Sequence, residues 1–296
     1  MVTWMFDDFT LEYVNVNEVK LRVRHGGRGP AVVLLHGHPR THTTWYAVAP
    51  LLATTHTVVC PDLRGYGRSS KPPTNEQHAP YSKSAMAADI VGLMRALGQD
   101  EFFVVGHDRG SQVAFRLALE YPANVRRLVF IGSLPIGDIL ARCTPEFATA
   151  WWHWFFFAQP DTPERVINAD PDAWYRTRGK EAAMGTANYQ DYLAAVHDPA
   201  TVHAMLEDYR AGLTIDRQHD DADRAAGRRI TCPMLHVWAL RDDPPELFGN
   251  ISEGWQAWAD DVEMTTMDTG HHVAEEAPEE LAQLLGRFLT PAAPFD

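Results

Sequence analysis

The sequence has few cysteines, a deficit of positive charge and no long apolar run. Its three cysteines, Cys60, Cys143 and Cys232, are widely spaced and odd in number. That pattern argues against a disulfide frame or a zinc site and is expected of reduced thiols in a cytoplasmic protein. Lys and Arg total 26 against 39 Asp and Glu, a net charge of −13, and no basic run interrupts the balance. A polyanion would be repelled at long range, so a nucleic-acid partner is not expected. The greasiest stretch, "WWHWFFFAQP", is far too short to span a bilayer, which argues against a membrane partner. The opening "MVTWMFDDFTLEYVNV" lacks a basic segment followed by an apolar core, so no secretory signal is expected. Internal repeats and low-complexity tracts are also missing.

What is present is core-forming material: 296 residues, 45% hydrophobic, enough for one large domain with an insertion. "LEYVNVNEVKLRVRHGG" reads as a hairpin turning near Asn17 and Glu18. Six apolar β-type runs follow: "AVVLLHG", "THTVVC", "FFVVGHD", "RRLVFIG", "CPMLHVWA" and "DVEMTTM". Their continuous apolar character suits strands covered on both faces of a parallel sheet. Met86, Ile90, Leu93, Met94 and Leu97 recur at helical spacing before Gly98. Pro278 opens a last helix with Leu281, Leu284, Leu285 and Phe288 on one face. The expected class is α/β, a mostly parallel central sheet covered by helices. From about Pro135 to Arg229 the β-rich runs stop and short helical patterns with many aromatics take over. The expected organisation is a core domain, 1–134 and 230–296, with a helical cap, 135–229, at the ligand-binding end of the sheet.

"FFVVGHDRGSQVAFRLALEYP", residues 102–122, carries the chemistry. A strand breaks into a glycine-bracketed turn and then a helix, which is the setting of a nucleophile elbow. The residue between the glycines is Asp108, where serine is usual. A carboxylate is ionised near neutral pH and needs no activating base before it attacks. It is a poor acyl nucleophile but can displace a leaving group from saturated carbon. The ester so formed must be hydrolysed, which requires a base, an acid to orient it, and an oxyanion hole. "TGHHVAEEAP" places His271 between the last strand and last helix as the base, ahead of His272. The backbone N–H groups of His38, in "LLHGHPRTH", and of Arg109 are the expected oxyanion donors. His36, His38 and His42 also have spacing that could ligate a metal. No Asp or Cys completes that cluster, so neither a metal nor a cofactor is expected.

Together "LLHGHPRTHTTW", "PDLRGYGRSSKP", "GHDRG" and "TGHHVAEEAP" resemble the α/β-hydrolase superfamily over nearly the whole chain. With "WHWFFFAQP" and "EDYRAG" in the cap region, the sequence is similar to the fluoroacetate dehalogenases. That resemblance implies the α/β-hydrolase fold and a small-molecule haloacid substrate, and leaves a homodimer open. It also implies halide displacement by Asp108, ester hydrolysis by His271-activated water, and halide binding by His153, Trp154 and Tyr209. Such enzymes usually hold the substrate carboxylate with two arginines. Arg109 matches the first, but Gln112 stands at the second position. Arg40 of "HGHPRTH" is the candidate replacement; an ordinary solvated loop arginine is the alternative reading. The usual triad acid position, after the strand "RRLVFIG", holds Gly132, and Asp138 further on is better placed to open a cap helix. The acid is therefore expected from "MLHVWALRDDPP", with Asp242 favoured over Asp243. The rival activities are an epoxide hydrolase, which would want two cap tyrosines, and a haloalkane dehalogenase, which has no use for a carboxylate clamp. A catalytically silent binder would leave the whole constellation idle.

Overall fold

A strand that is apolar on both faces has to lie inside a covered sheet. In the computed structural model, which describes residues 6–243 and 245–290, three strands are buried at every position: β3 (Ala31–Leu35), β5 (Phe102–His107) and β7 (Met234–Ala239). They belong to an eight-stranded sheet with β1 (Thr10–Val16), β2 (Val19–Gly27), β4 (Thr57–Pro61), β6 (Val125–Ile131) and β8 (Val262–Met267). The order is β1-β2-β4-β3-β5-β6-β7-β8. The first two pairings, β1 with β2 and β2 with β4, are antiparallel, and all the others are parallel. The expected hairpin forms, with Val16 opposite Val19 and Asn17 turning the chain at φ 48°.

Alternation along a strand sends successive side chains to opposite faces. Val33, Leu35 and Val104 accordingly join one hydrophobic cluster, whereas Val32, Leu34 and Val105 join another. The helix Lys83–Ala96 covers the first face, its amino end capped by the Ser82 hydroxyl, which accepts the Ala85 N–H at 3.2 Å. The last helix, Pro278–Leu289, covers the second with Leu281, Leu285 and Leu289. Each such side chain, fully buried, contributes about 1.5–3 kcal/mol.

Between Ile131 and Met234 the chain forms helices and contributes no strand to the sheet; these helices make the cap. Its Trp154, Phe157 and Tyr209 sit in the same hydrophobic cluster as Val33 and Val104, so cap and sheet share one core. Charge pairs pin the two together as well. Arg22 of β2 meets Asp191 at 2.7 Å, and Arg116, behind the elbow, meets Asp220 and Asp223. Among the described residues no helix is long and apolar enough to cross a membrane.

Candidate active site

Four strand ends converge on one point, as parallel sheets arrange their ligand sites. β5 ends at His107 and the helix Arg109–Glu120 begins two residues later, leaving Asp108 at φ 52°, ψ −119°. For a residue with a Cβ this is a strained conformation that the surroundings must enforce. The flanking glycines let the turn close. A Cβ on Gly110 would collide with the carbonyl oxygens of Leu35 and His36, and one on Gly106 with the Gly110 carbonyl.

The Asp108 carboxylate is held asymmetrically. Its Oδ1 accepts the backbone N–H of His38, just past β3, at 2.7 Å. Its Oδ2 lies 3.9 Å from Nε2 of His271, which follows β8. Nδ1 of His271 is 2.8 Å from Oδ2 of Asp242, which follows β7. Burial alone would raise the Asp108 pKa, but the His271 charge, with help from the Arg109 backbone N–H, brings it below the ordinary value. Burial would likewise lower His271, yet the Asp242 hydrogen bond and the Asp108 charge lift it to about 9. The His271 side chain remains 39% exposed, so a small ligand or water can reach the ring. The neighbouring His272 is pushed well below its usual range by burial, and its Nδ1 has no partner among the described residues.

Gly132, at the end of β6, adopts φ 146°, and its carbonyl is 2.8 Å from His236 Nε2. Asp138 lies in the first turn of the cap helix Ile136–Ala141, accepts the Trp258 indole N–H at 2.5 Å and pairs with Arg142 and Arg224. Asp243 is 2.8 Å from Trp151 Nε1 rather than bonded to His271.

The cap delivers His153 and Trp154 on the short helix Trp152–Phe157, and Tyr209 on the helix Pro199–Ala211. The Tyr209 ring lies 5.8 Å from that of Trp154 and 6.3 Å from that of His153, both edge-on. Trp154 lines the cavity above Asp108. Burial lowers His153 to about 4 and raises Tyr209 well above 10, so the first is neutral and the second keeps its proton. The cavity is also lined by Ser111, Gln112, Trp151, Trp238 and Phe248, and the centre of a water-sized sphere can occupy about 40 Å³ of it. Room of that size suits a ligand of few heavy atoms.

The arginine clamp expected from the sequence is not assembled. Arg40 is buried and its Nε and Nη2 bond to the two carboxylate oxygens of Glu275 at 2.9 and 3.0 Å, with the guanidinium 4.8 Å above the Tyr192 ring. It is not among the residues lining the cavity. Its remaining nitrogen, Nη1, is buried, and Arg40 as a whole stands outside the cavity lining, so a substrate carboxylate there is out of its reach. Arg109 does line the cavity, but its Nε and Nη2 are bonded to Asp208 at 2.8–3.0 Å, and only Nη1 is without a partner among the described residues. Gln112 is engaged too, its amide donating to the Leu134 carbonyl at 2.8 Å and accepting the Ile136 N–H at 3.2 Å. Arg40→Gln should therefore leave the substrate KM unchanged while costing about 3 kcal/mol of stability, since Glu275 would stay buried without its cation. Denaturant melts run beside Michaelis curves check both halves.

Two contributors escaped the sequence reading. Asp208 sits directly before Tyr209 and receives Arg109, Lys83 and, at 2.6 Å, the Tyr66 hydroxyl. Trp151, to which the sequence assigned no role, uses its indole N–H on Asp243. In the sequence Asp208 stands beside Glu207 and two residues before Arg210 in "LEDYRAG", and nothing there sets it apart.

The three histidines of "HGHPRTH" do not converge. His36 Nε2 accepts the Leu63 N–H, His38 serves Asp108 through its backbone, and His42 meets Asp62 at 2.7 Å. Among the described residues, only His42, Asp62 and Asp191 are close enough to share a cation, and Arg22 already stands against both acids.

Residues 30–191 match the family model of the alpha/beta hydrolase fold. The chain belongs to the α/β-hydrolase superfamily and, within it, to the fluoroacetate dehalogenase family. It is 39% identical to a fluoroacetate dehalogenase from Burkholderia sp., over 97% of this chain and 96% of that one. It is also 29% identical to a soluble epoxide hydrolase from Corynebacterium sp., over 97% and 99% of the two chains. A crystal structure of an α/β hydrolase from Nostoc sp. PCC 7120 superposes with a TM-score of 0.91 at 40% identity, covering 97% of this chain and all of that one. The protein is thus a hydrolase of this fold.

Proposed function

We propose that this protein hydrolyses 2-haloacetates to glycolate and halide through an ester on Asp108. The observation that carries the reading is the split environment of that carboxylate. Oδ1 is engaged by the His38 N–H, and Oδ2 is left facing the cavity near His271. Oδ2 is then the attacking atom, and Oδ1 becomes the ester carbonyl oxygen already seated in the oxyanion hole. The halide departs toward Trp154, His153 and Tyr209, each a rigid ring with one N–H or O–H to offer. Fluoride gives up strong hydration on entering such a site, so compact donors are what its departure requires.

The substrate carboxylate goes to Arg109, through the Nη1 that Asp208 leaves over. His271, oriented by Asp242, then takes a proton from water, which adds to the ester carbonyl carbon. The His38 and Arg109 amides hold the resulting oxyanion. Glycolate leaves carrying the old Asp108 oxygen, and water supplies the new one.

That oxygen traffic is the test. With enzyme in excess in heavy-oxygen water, first-turnover glycolate should carry the ordinary isotope and Asp108 the heavy one. Solvent oxygen appearing directly in first-turnover glycolate would end the proposal. Run beside it, fluoroacetate, chloroacetate and an aryl epoxide compare the dehalogenase reading with that of the epoxide hydrolases to which the chain is also similar.

A pH dependence follows from the two shifted groups. Asp108, held below its ordinary value, stays ionised well into the acid range, so ester formation persists there. His271 sits near 9 partly because of the Asp108 charge, and esterification removes that charge. Its pKa then falls in the intermediate, freeing the base near neutral pH. As pH drops below that lowered value the imidazole protonates and hydrolysis stalls. Stopped-flow halide release should show a burst of one equivalent per site at acid pH, with the steady rate recovering as pH rises.

A further inference from the structure

The charges around the cavity do not favour an anion. Three carboxylates line it, Asp108, Asp242 and Asp243, against a single arginine and no lysine. Arg109 is itself balanced by Asp208, which bonds two of its three nitrogens, and the next cation, Lys83, is absorbed by Asp208 and Asp216. Gln112 adds no charge where the helix Arg109–Glu120 passes the cavity, and its amide is spent on Leu134 and Ile136. Arg40 is spent on Glu275. Of the two histidines in the lining, burial holds His107 to about 4 and so neutral, and the ring of His271 is tied to Asp242.

We infer that the same site also hydrolyses uncharged 2-haloacetamides, to glycolamide and halide, at least as efficiently as the acids. The inference rests on the Asp108 ester mechanism proposed above and concerns only what flanks the reacting carbon. A carboxylate beside that carbon repels an incoming carboxylate unless cations neutralise it, and here the neutralising set is one guanidinium corner. An amide withdraws electrons from the carbon in the same way without the repulsion. Its carbonyl oxygen is a single acceptor, matched to the single unpartnered Arg109 Nη1. Its N–H2 donates, and the acids of the lining accept. Asp243 uses Oδ2 for Trp151, and no bond to its Oδ1 occurs among the described residues. A carboxylate substrate offers no donor to such a wall.

The steps balance. Asp108 Oδ2 forms a bond to C2 as the carbon–halogen bond breaks, and the halide leaves with its electron pair. Water, losing a proton to His271, adds to the ester carbonyl carbon. Collapse then releases glycolamide and restores the carboxylate. The net change is haloacetamide plus water to glycolamide, halide and a proton.

The experiment measures kcat/KM for 2-fluoroacetamide and fluoroacetate, and for the two chloro analogues, by halide release under multiple turnover. Asp108→Asn serves as control, because exposed Cys143 can consume only one equivalent of a chloro compound. Amide values equal to or above the acid values, lost in Asp108→Asn, are expected. Gln112→Arg, which returns a second cation, should swing the ratio toward the acid by ~10-fold or more, the worth of one charge-assisted hydrogen bond. If the wild-type enzyme turns over the acids with a higher kcat/KM than the amides, the inference is overturned and the dehalogenase reading stands. If neither acid nor amide releases halide beyond the control, both fall together.

Discussion

His271→Gln should produce an enzyme that releases one halide per active site and then stops. Nothing in ester formation needs the imidazole as a base, because Asp108 is already a carboxylate with Oδ2 free toward the cavity. Everything in ester hydrolysis does need it, since water must lose a proton as it adds to the carbonyl carbon. Loss of a positioned base costs ~10²–10⁴-fold, and glutamine cannot take a proton at all. Burst amplitude, steady rate and the intact mass of the enzyme should agree: a stoichiometric burst, turnover reduced by ~10³-fold or more, and an added carboxymethyl group that peptide mapping places on Asp108. Normal cycling in the variant would mean that a different group activates water, and His272, with an unpartnered Nδ1 one residue away, would be examined first.

Asp208→Asn should be the most damaging substitution outside the reacting atoms. The carboxylate is fully buried and carries Arg109, Lys83 and the Tyr66 hydroxyl at once. Asn keeps the shape but removes the charge, leaving Lys83 with Asp216 at 3.7 Å and Arg109 with no carboxylate partner among the described residues. Removing one member of a buried ionic network costs ~3–5 kcal/mol, a fall of roughly 10 °C or more in Tm for a chain of this size. The kinetic consequence is separable from the stability loss. Arg109, released from Asp208, gains free N–H groups for a substrate carboxylate but loses its fixed aim, so KM and kcat for haloacetates should move apart. Thermal melts and Michaelis constants measured well below the lowered Tm distinguish a changed site from a poorly folded one.

How much of this was legible beforehand depends on how local each signal is. The elbow could be read because strand, glycines and helix are contiguous, and Asp108 then follows from its place between them. The sheet could be read because β3, β5 and β7 are apolar throughout, a pattern that only two-sided burial supports. The placements of His38, Asp242 and His271 around Asp108 agree with the order of strand ends along the chain. The proposed Arg40–Arg109 clamp failed for a reason that sequence spacing does not carry. Arg40 finds Glu275 across 235 residues, and Arg109 finds Asp208 across 99. The first pairing joins two distant segments of the sheet domain and the second joins the elbow helix to a cap helix, so neither exists until the chain has folded.

The sequence by itself determined that this chain builds a covered, mostly parallel sheet and presents a strained, ionised aspartate at its edge, because backbone turns and apolar periodicity are settled by neighbours in the chain. Which charges remain for a substrate was decided by the tertiary structure alone. A buried guanidinium bonds whichever carboxylate folding sets against it, so its availability is a property of the packed molecule and of no stretch within it.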